Sequence, residues 1–498
     1  MFTRQKIGIV LGLSTFVTML LIPVPEGMNP LAMSAAAVAM LMAVFWVTEA
    51  ISIFATSFIP VALFPIFGIL NANHIAASYG HHIVLLILGA FFVAKAIETN
   101  NLHKRIALAT IRLIGTSRQR IILSFMISTA FLSMWTSNNS TTLMMLPIGL
   151  AIIQREKVLG SKDVAFGSAL MLSIAYSASI GGTGTLVGTP PNLLFVSTMK
   201  EIFPDSPDIV FTDWLKIGLP FVVVFLPIAW FYIIKYFKVE GGLHGSDEII
   251  ENEYRELGPM SVAEKRVLVI CIFYALGFVF RRDMQIGELT IPGWSDILGV
   301  QAFVKDATVA FIAALLLFLL PNGSVNENGK QRRLLEWEDA KTIPWGIAML
   351  IGGGLAIAAA FRESELISWI GSNLDLSGVS VFLVLLILIT GMVFLTEINS
   401  NTATTAVFLP VLAGISQAGN FHPYLLMIPA TIAASCAFML PSGTGPNASI
   451  LASGQVTIPE MAKCGFGLNI LAIIVIVSLL YFIIMPIFGV NGVAPNWM

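Results

Sequence analysis

Long apolar stretches separated by short polar segments run through the whole chain. Many of them approach or exceed the ~20 residues that an α-helix needs to cross the hydrocarbon core of a membrane. The pattern predicts apolar helices over about 8–23, 31–48, 51–70, 82–99, 121–136, 140–153, 164–187, 214–236, 266–280, 306–321, 343–361, 378–395, 402–418, 423–440 and 466–488. It therefore predicts an all-α polytopic membrane protein.

Two pairs of these stretches are too short and too close together to span a membrane separately. They are 121–136 with 140–153, and 378–395 with 402–418, and a polar Ser-Asn segment divides each pair. Such a unit is typical of a re-entrant hairpin, whose non-helical tip is tolerated at membrane depth only where protein or a watery cavity covers it. With each pair counted as one hairpin, eleven transmembrane helices are predicted.

Composition agrees with this prediction and excludes other protein classes. Of the 498 residues, 56% are hydrophobic and 11% charged, the net charge is −2, and the mean hydropathy is +0.86. Because soluble proteins carry roughly a quarter charged residues, a soluble enzyme and a disordered chain are excluded. A nucleic-acid partner is excluded too, since the chain has no basic field.

The basic residues also indicate an orientation. With the N-terminus in the cytoplasm, all but seven of the 27 Lys and Arg residues fall in cytoplasmic segments, the exceptions being Lys95, Lys200, Lys216, Arg281, Arg282, Lys305 and Arg362. This positive-inside bias predicts a multi-pass protein of the cell membrane with an extracellular C-terminus, in contact with lipids. The first hairpin then enters from the cytoplasm and the second from outside.

The chain contains two related halves. Four elements recur in the same order: 86–89 with 350–353, Ser137-Asn138-Asn139 with Ser400-Asn401-Thr402, Leu146-Pro147 with Leu409-Pro410, and Thr189-Pro190-Pro191-Asn192 with Thr444-Gly445-Pro446-Asn447. Because the two hairpins enter from opposite faces, the repeats are predicted to be inverted. Inverted repeats with interrupted helices are the signature of secondary transporters, with the site where the repeats meet.

These observations divide the chain into four parts. They are an N-terminal span at 1–30, a first repeat at 31–236, a cytoplasmic linker at 237–265 and a second repeat at 266–498. The first repeat holds a hairpin at about 121–153 and an interrupted helix at about 164–199, and the second holds a hairpin at about 378–418 and an interrupted helix at about 423–455. Gly188 and Gly443, each close to a proline, are the expected unwinding points.

The segments around the hairpin tips lack basic residues, since 121–154, 163–199 and 363–462 contain no Lys or Arg. An anion there would meet amides, hydroxyls and helix N-termini, which bind carboxylates without a basic side chain. Carbonyls freed by unwinding suit Na⁺, and a buried dianion needs co-bound cations to offset its desolvation. A lone Ser-Asn pair in a membrane helix is usually a packing feature, but its duplication favours a binding site.

On these residues the sequence resembles the divalent anion/sodium symporter family of di- and tricarboxylate and sulfate transporters. The markers are Ser-Asn-Thr tips that each precede Leu-Pro, and Thr-Pro-Pro-Asn interruptions, and the resemblance covers nearly the whole chain. It implies a homodimer held by a scaffold, and a transport domain that carries both hairpins and moves as an elevator. It also implies Na⁺ as the coupling ion and no organic cofactor.

The resemblance further implies the site residues. Substrate carboxylates would meet Ser137, Asn138, Asn139, Thr189, Ser400, Asn401, Thr402 and Thr444. One Na⁺ would use Ser133, Ser137, Asn138 and Gly188, and a second would use Thr396, Asn399 by its carbonyl, Asn401 and Gly443. The chain departs from the family pattern where Asn139 replaces a threonine and Gly445 replaces a proline.

The favoured function is Na⁺ symport of a dicarboxylate of the succinate, fumarate, malate or 2-oxoglutarate class. Exchange of dicarboxylates without Na⁺, sulfate transport and an anion channel stay open. An intramembrane hydrolase using Ser442 is a remote alternative, because it needs a buried Ser–His pair and no histidine lies within the apolar body of a predicted span. Glu397, beside the second tip, has two interpretations, a functional acid or an anchor for backbone N–H groups.

Overall fold

The computed structural model describes residues 4–115, 117–158, 164–241, 251–252, 254–286, 289–325, 329, 331–374, 378–490 and 492–498. Of the cytoplasmic linker predicted at 237–265, residues 242–250 and 253 lie outside the described residues.

Helices dominate both halves of the described chain. The first half contains α1 Arg4–Leu21, α2 Pro30–Thr48, α3 Ile53–Thr56, α4 Ile59–Ile66, α5 Ala72–Tyr79, α6 His82–Thr99, α7 Leu102–Ile114, α8 Arg118–Ser133, α9 Asn138–Val158, α10 Val164–Gly182, α11 Pro190–Ile202 and α12 Phe211–Tyr236. The second half contains α13 Val262–Val279, α14 Trp294–Ile297, α15 Asp306–Leu319, α16 Trp337–Ala340, α17 Trp345–Glu363, α18 Leu366–Asn373, α19 Val381–Leu395, α20 Asn401–Ala418, α21 Pro423–Ala434, α22 Gly445–Ala452, α23 Ile458–Leu479, a π-helical turn Leu480–Ile484 and α24 Met485–Phe488.

Two short antiparallel β-hairpins, which the sequence did not predict, add to this mostly helical chain. Met284–Ile286 (β1) pairs with Leu289–Ile291 (β2), and Pro321–Val325 (β3) pairs with Gln331–Arg333 (β4). Each hairpin lies in a connection that follows an apolar helix. Strands of this length produce too few alternating positions to be detected in a sequence.

Each predicted hairpin consists of two helices joined by a tight polar turn. The first is α8 and α9, and the second is α19 and α20. Each predicted interrupted helix is likewise two helices with a non-helical break, α10 with α11 and α21 with α22. The apolar run at 51–70 was predicted as one helix and is divided, because Pro60 begins a new helix in its first turn.

Seven described helical segments are long and apolar enough to cross a membrane. They are Arg4–Leu21, Pro30–Thr48, Ala72–Thr99, Ala165–Gly182, Phe211–Tyr236, Trp345–Glu363 and Ile458–Phe488. Shorter apolar helices are Ile53–Ile66, Asp306–Leu319, Val381–Leu395 and Pro423–Ala434. Many large apolar side chains on these helices are exposed, as expected where lipid is the solvent.

The interrupted helices lie at the centre of the molecule. Of the 18-residue window Ala165–Gly182, 94% is buried. Its helix α10 contacts α8, α9, α12 and α22, while α11 contacts α17 and α20. The breaks of both interrupted helices and the tips of both hairpins therefore come together in the interior.

Candidate functional site

Four helices begin at one central cavity. The helices α9, α11, α20 and α22 start at Asn138, Pro190, Asn401 and Gly445, and all four residues line a cavity of ≈ 210 Å³. A helix N-terminus carries partial positive charge and unpaired N–H groups. The cavity thus attracts anions through the backbone of four separate elements.

The polar wall of the cavity contains every residue predicted to meet a substrate. These are Ser137, Asn138, Asn139, Thr189, Ser400, Asn401, Thr402 and Thr444. The opposite wall is apolar and comes from α3, α6 and α17, with Ile53, Phe54, Ile87, Phe91, Ile347 and Leu350. Within the described part of the chain, none of the residues lining the cavity is charged.

An oxygen-rich cluster lies behind the first hairpin tip. The Ser133 hydroxyl oxygen is 2.7 Å from Asn138 Oδ1 and also 2.7 Å from the carbonyl oxygen of Ala178. A hydroxyl has one proton to donate, so it satisfies one of these two acceptors at a time. Three closely spaced oxygens with a single proton form an arrangement that suits a hard cation.

The second hairpin contains the same cluster. Thr396 Oγ1 is 2.7 Å from Asn401 Oδ1 and 2.7 Å from the carbonyl oxygen of Ala434. Both hydroxyl residues are fully buried. The alanine carbonyls, which the sequence did not single out, occur in the last turns of α10 and α21, beside the breaks. No sequence signal marks them, because every residue has a backbone carbonyl.

The other predicted cation residues lie beside these clusters. Gly188 and Gly443 line the cavity. A Cβ built on Gly188 would lie 2.4 Å from the carbonyl oxygen of Gly182 and 3.0 Å from that of Ser133, so the close backbone packing at this break requires glycine. The side chain of Asn399 bonds Thr404 and the backbone N–H of Ser400. Both ends of this side chain thus have partners within the protein.

Two asparagines hold the breaks in shape, although no role was predicted for them beyond their place in the repeated motif. Asn192 Nδ2 donates to the carbonyl oxygens of Gly182 at 3.2 Å and Thr185 at 2.7 Å. Asn447 Nδ2 donates in the same way to Ala437 at 3.1 Å and Leu440 at 3.0 Å. Both asparagines are fully buried. We call them the clamp asparagines, and their duplicated Pro-Asn dipeptide is the signal that marks them.

Glu397 fits the interpretation as an anchor. Its carboxylate accepts hydrogen bonds of 2.7–3.0 Å from the backbone N–H groups of Phe438, Met439 and Leu440 in the second break. Ser442, the candidate nucleophile, donates its hydroxyl to the carbonyl oxygen of Glu397 at 3.2 Å. Its observed partner is therefore a backbone carbonyl, and the geometry gives no support to a hydrolase.

Nearly the whole chain matches the model of a known family of membrane transporters. Residues 4–488 match the profile of the family described as the sodium:sulfate symporter transmembrane region. The chain belongs to this family. The resemblance stated on the sequence motifs is thereby confirmed, and the protein is a multi-pass membrane protein of a transporter family rather than an enzyme.

Relatives that align with nearly the whole chain are named as transporters. The sodium-dependent dicarboxylate transporter SdcS of Staphylococcus saprophyticus is 40% identical, over 99% of this chain and 93% of that relative. The transporter of the same name from Staphylococcus aureus is 39% identical, over 98% of this chain and 93% of its own length. These names describe the relatives.

Two solved structures share the fold. Neisseria gonorrhoeae MtrF, described within a class of antimetabolite efflux pumps, has a TM-score of 0.57 at 13% identity and covers 99% of this chain and 98% of its own. The Alcanivorax borkumensis YdaH transporter, described as having an unusual topology, has a TM-score of 0.53 at 12% identity, with coverages of 86% and 91%. At such identities the likeness concerns the fold alone.

Proposed function

We propose that this protein is a secondary active transporter that couples the uptake of a dicarboxylate to Na⁺. The observation that carries the proposal is the cavity between two duplicated oxygen clusters, lined by amides, hydroxyls and helix N-termini and by no charged side chain among the described residues. The names of the staphylococcal relatives, which specify sodium and dicarboxylate, support the same reading.

The cations supply the positive charge that the cavity lacks. In this proposal one Na⁺ binds at Ser133, Ser137, Asn138 and Gly188, and the other at Thr396, Asn399, Asn401 and Gly443. Each offers the oxygen ligands that a hard cation prefers. A dianion entering a pocket of low dielectric is costly without counter-charge, so bound Na⁺ raises substrate affinity and the substrate raises Na⁺ affinity in return.

The substrate is a dicarboxylate of the succinate, fumarate, malate or 2-oxoglutarate class, held between the two hairpin tips. Its carboxylates accept hydrogen bonds from Ser137, Asn138, Asn139, Thr189, Ser400, Asn401, Thr402 and Thr444. The apolar wall formed by Phe54, Phe91 and Leu350 faces the carbon chain. Sulfate has no carbon chain to place there, which favours a dicarboxylate over sulfate.

The proposed architecture follows the sequence repeat. Eleven transmembrane helices form an N-terminal span at 1–30 and inverted repeats at 31–236 and 266–498, joined by a cytoplasmic linker at 237–265. A transport domain carrying both hairpins and both interrupted helices moves as an elevator against a scaffold that holds a homodimer. The N-terminus is cytoplasmic and the C-terminus extracellular, in the cell membrane. The matched hydrogen bonds at the two tips support the repeat.

Uptake of labelled succinate into proteoliposomes tests this function. An inward Na⁺ gradient is expected to drive accumulation above the equilibrium level, and an equal K⁺ gradient is not. An ionophore that collapses the Na⁺ gradient abolishes accumulation. No uptake and no counterflow with any dicarboxylate contradicts the proposal.

Exchange of one dicarboxylate for another is the second candidate function. The cavity indicates what can bind, but it does not indicate whether transport is coupled to Na⁺. Vesicles preloaded with unlabelled succinate and kept free of Na⁺ distinguish the two. Labelled succinate enters such vesicles through an exchanger but not through an obligate symporter. Competition by excess unlabelled sulfate tests the remaining substrate, and symport of dicarboxylate alone predicts that sulfate does not compete.

A further inference from the structure

The internal repeat fails at two positions of the cavity wall. Asn139 follows Ser137-Asn138, whereas the matched tip has Thr402. Gly445 begins α22, whereas the matched helix α11 begins with Pro190. The residues just before them match in the two halves, since Ser137-Asn138 corresponds to Ser400-Asn401 and Thr189 to Thr444. The two exceptions therefore lie directly beside matched positions.

The two unmatched residues contact each other. A Cβ built on Gly445 would lie 2.5 Å from Asn139 Cγ and would overlap both terminal atoms of the carboxamide. Separations under 3.0 Å are essentially never found for a real Cβ. The side chain of Asn139 thus occupies space that exists because residue 445 has no side chain. A proline at 445, as at position 190, needs still more of that space.

The Asn139 carboxamide is also available to a ligand on the cavity wall. The residue is exposed and lines the cavity. Its side chain has no hydrogen-bond partner in the described ranges of the chain, whereas the hydroxyl of Ser137 bonds Ser140 at 2.9 Å. A carboxamide carries two N–H donors. Donors without a partner on the wall of an uncharged cavity suit a carboxylate oxygen.

We propose that Asn139 and Gly445 are a matched pair that sets the length of the substrate; this inference rests on the proposed function. The Asn139 carboxamide donates to one carboxylate, and Gly445 provides the space that lets it do so. The donor atom of asparagine is one bond, about 1.5 Å, farther from the backbone than a threonine hydroxyl. It therefore shortens the gap between the two carboxylate positions and favours four-carbon over five-carbon dicarboxylates.

The test compares labelled succinate with labelled glutarate, which is one methylene longer, in Na⁺-driven proteoliposome uptake. Asn139→Thr is expected to raise the glutarate-to-succinate ratio of kcat/KM by about tenfold, the discrimination that one methylene provides. Gly445→Pro alone is expected to lower kcat/KM for succinate by about tenfold or more, because overpacking displaces the carboxamide. The double variant is expected to return to the level of Asn139→Thr, since the proline ring then has room.

Two further variants keep the result interpretable. Gly391→Ala, in the second hairpin, meets no atom within 4 Å and is the matched glycine control, expected to behave as the parent protein. If Gly445→Pro does not fold, as judged by gel filtration in detergent, Gly445→Ala and Asn139→Thr/Gly445→Ala replace it. The shorter threonine is then expected to leave room for the alanine at 445, so that uptake by the double variant matches that of Asn139→Thr.

The inference is overturned if Asn139→Thr/Gly445→Pro is as impaired as Gly445→Pro, or if Asn139→Thr/Gly445→Ala is as impaired as Gly445→Ala. It is also overturned if Asn139→Thr transports with an unchanged glutarate-to-succinate ratio. These outcomes are distinct from failure of the proposed function, because that failure appears in the parent protein as the absence of any dicarboxylate uptake.

Discussion

The carboxylate of Glu397 accepts a hydrogen bond of 2.7 Å from the side-chain amide of Asn469. Glu397 follows Thr396 at the second hairpin tip, and Asn469 belongs to α23. Three backbone N–H groups of the second break donate to the same carboxylate. One buried acid therefore joins the hairpin, the break and α23 beside the second oxygen cluster. The first hairpin has Met134 at the matched position, so this anchor is particular to the second half.

Glu397→Gln is expected to lower the stability of the protein and to weaken Na⁺ binding at the site proposed beside Thr396. The new amide group turns a donor toward N–H groups that themselves need acceptors, which costs about 2–4 kcal/mol. Melting temperature in detergent is expected to fall, and Na⁺ is expected to raise it less than in the parent protein. Glu338→Gln, at a side chain 78% exposed, is the control. A Glu397→Gln protein that melts and responds to Na⁺ like the control would contradict the anchor.

Removing one hydroxyl from each oxygen cluster is expected to weaken Na⁺ binding without abolishing folding. Ser133→Ala and Thr396→Val each delete one oxygen and preserve the packing volume closely. The Na⁺ concentration for half-maximal succinate uptake is expected to rise about fivefold in each, since a net contact of about 1 kcal/mol is lost. The measurement is initial uptake rate against external Na⁺.

The controls for this pair are hydroxyls that bond only within their own helix. Ser128 donates to the carbonyl of Ser124, and Thr431 to the carbonyl of Met427. Ser128→Ala and Thr431→Val are therefore expected to leave the Na⁺ dependence unchanged. An equal shift in the controls would mean that buried hydroxyls act through general packing, and the clusters would lose their special role.

The sequence predicted most of the site because the information was local and duplicated. The Ser-Asn tips and the Pro-Asn breaks could be identified as motifs, and the repeat linked them before any contact was known. Contacts across elements could not be predicted in this way. The carbonyls of Ala178 and Ala434 carry no sequence signal, since every residue has a carbonyl. The close contact between Asn139 and Gly445 depends on how the N-terminal ends of two helices face each other, and only the packing of those helices determines this.

The clamp asparagines are expected to strengthen Na⁺ binding, because their hydrogen bonds fix the backbone conformation of the two breaks. Asn192→Asp and Asn447→Asp keep the side-chain size but replace two donated hydrogen bonds by a carboxylate facing two carbonyl oxygens. Each variant is expected to raise the half-saturating Na⁺ concentration by about thirtyfold, because two hydrogen bonds of about 1 kcal/mol each are lost beside a proposed cation site. Na⁺-dependent stabilisation in detergent measures this directly, independent of transport.

Asn373→Asp is the matched control for the clamps, because Asn373 is exposed and its amide donates at the end of α18. It is expected to retain the parent response to Na⁺. A clamp variant that is folded and transports succinate at low Na⁺ as well as this control would show that the breaks keep their shape without the asparagines.

A charged network around Asp208 is expected to give the protein a pH-dependent component of stability. Asp208, in the connection between α11 and α12, pairs with Lys200 at 3.1 Å, Arg282 at 3.0 Å and Lys305 at 2.9 Å. Burial raises the pKa of Asp208, but hydrogen bonds from Lys305 and Lys200 outweigh it and hold the pKa well below its usual range. A lowered carboxyl pKa stabilises the folded state at neutral pH.

Asp208→Asn is expected to lower stability by about 1 kcal/mol at neutral pH, since the pairs are partly exposed. The stabilisation by Asp208 is complete above the unfolded pKa of about 3.9 and is lost as pH falls toward the folded value. The difference in melting temperature between parent and variant is therefore expected to be constant near neutral pH and to shrink only below about pH 4. Exposed Asp205→Asn is the control. A difference that instead shrinks as pH rises would show that a group with a raised pKa, rather than Asp208, carries the effect.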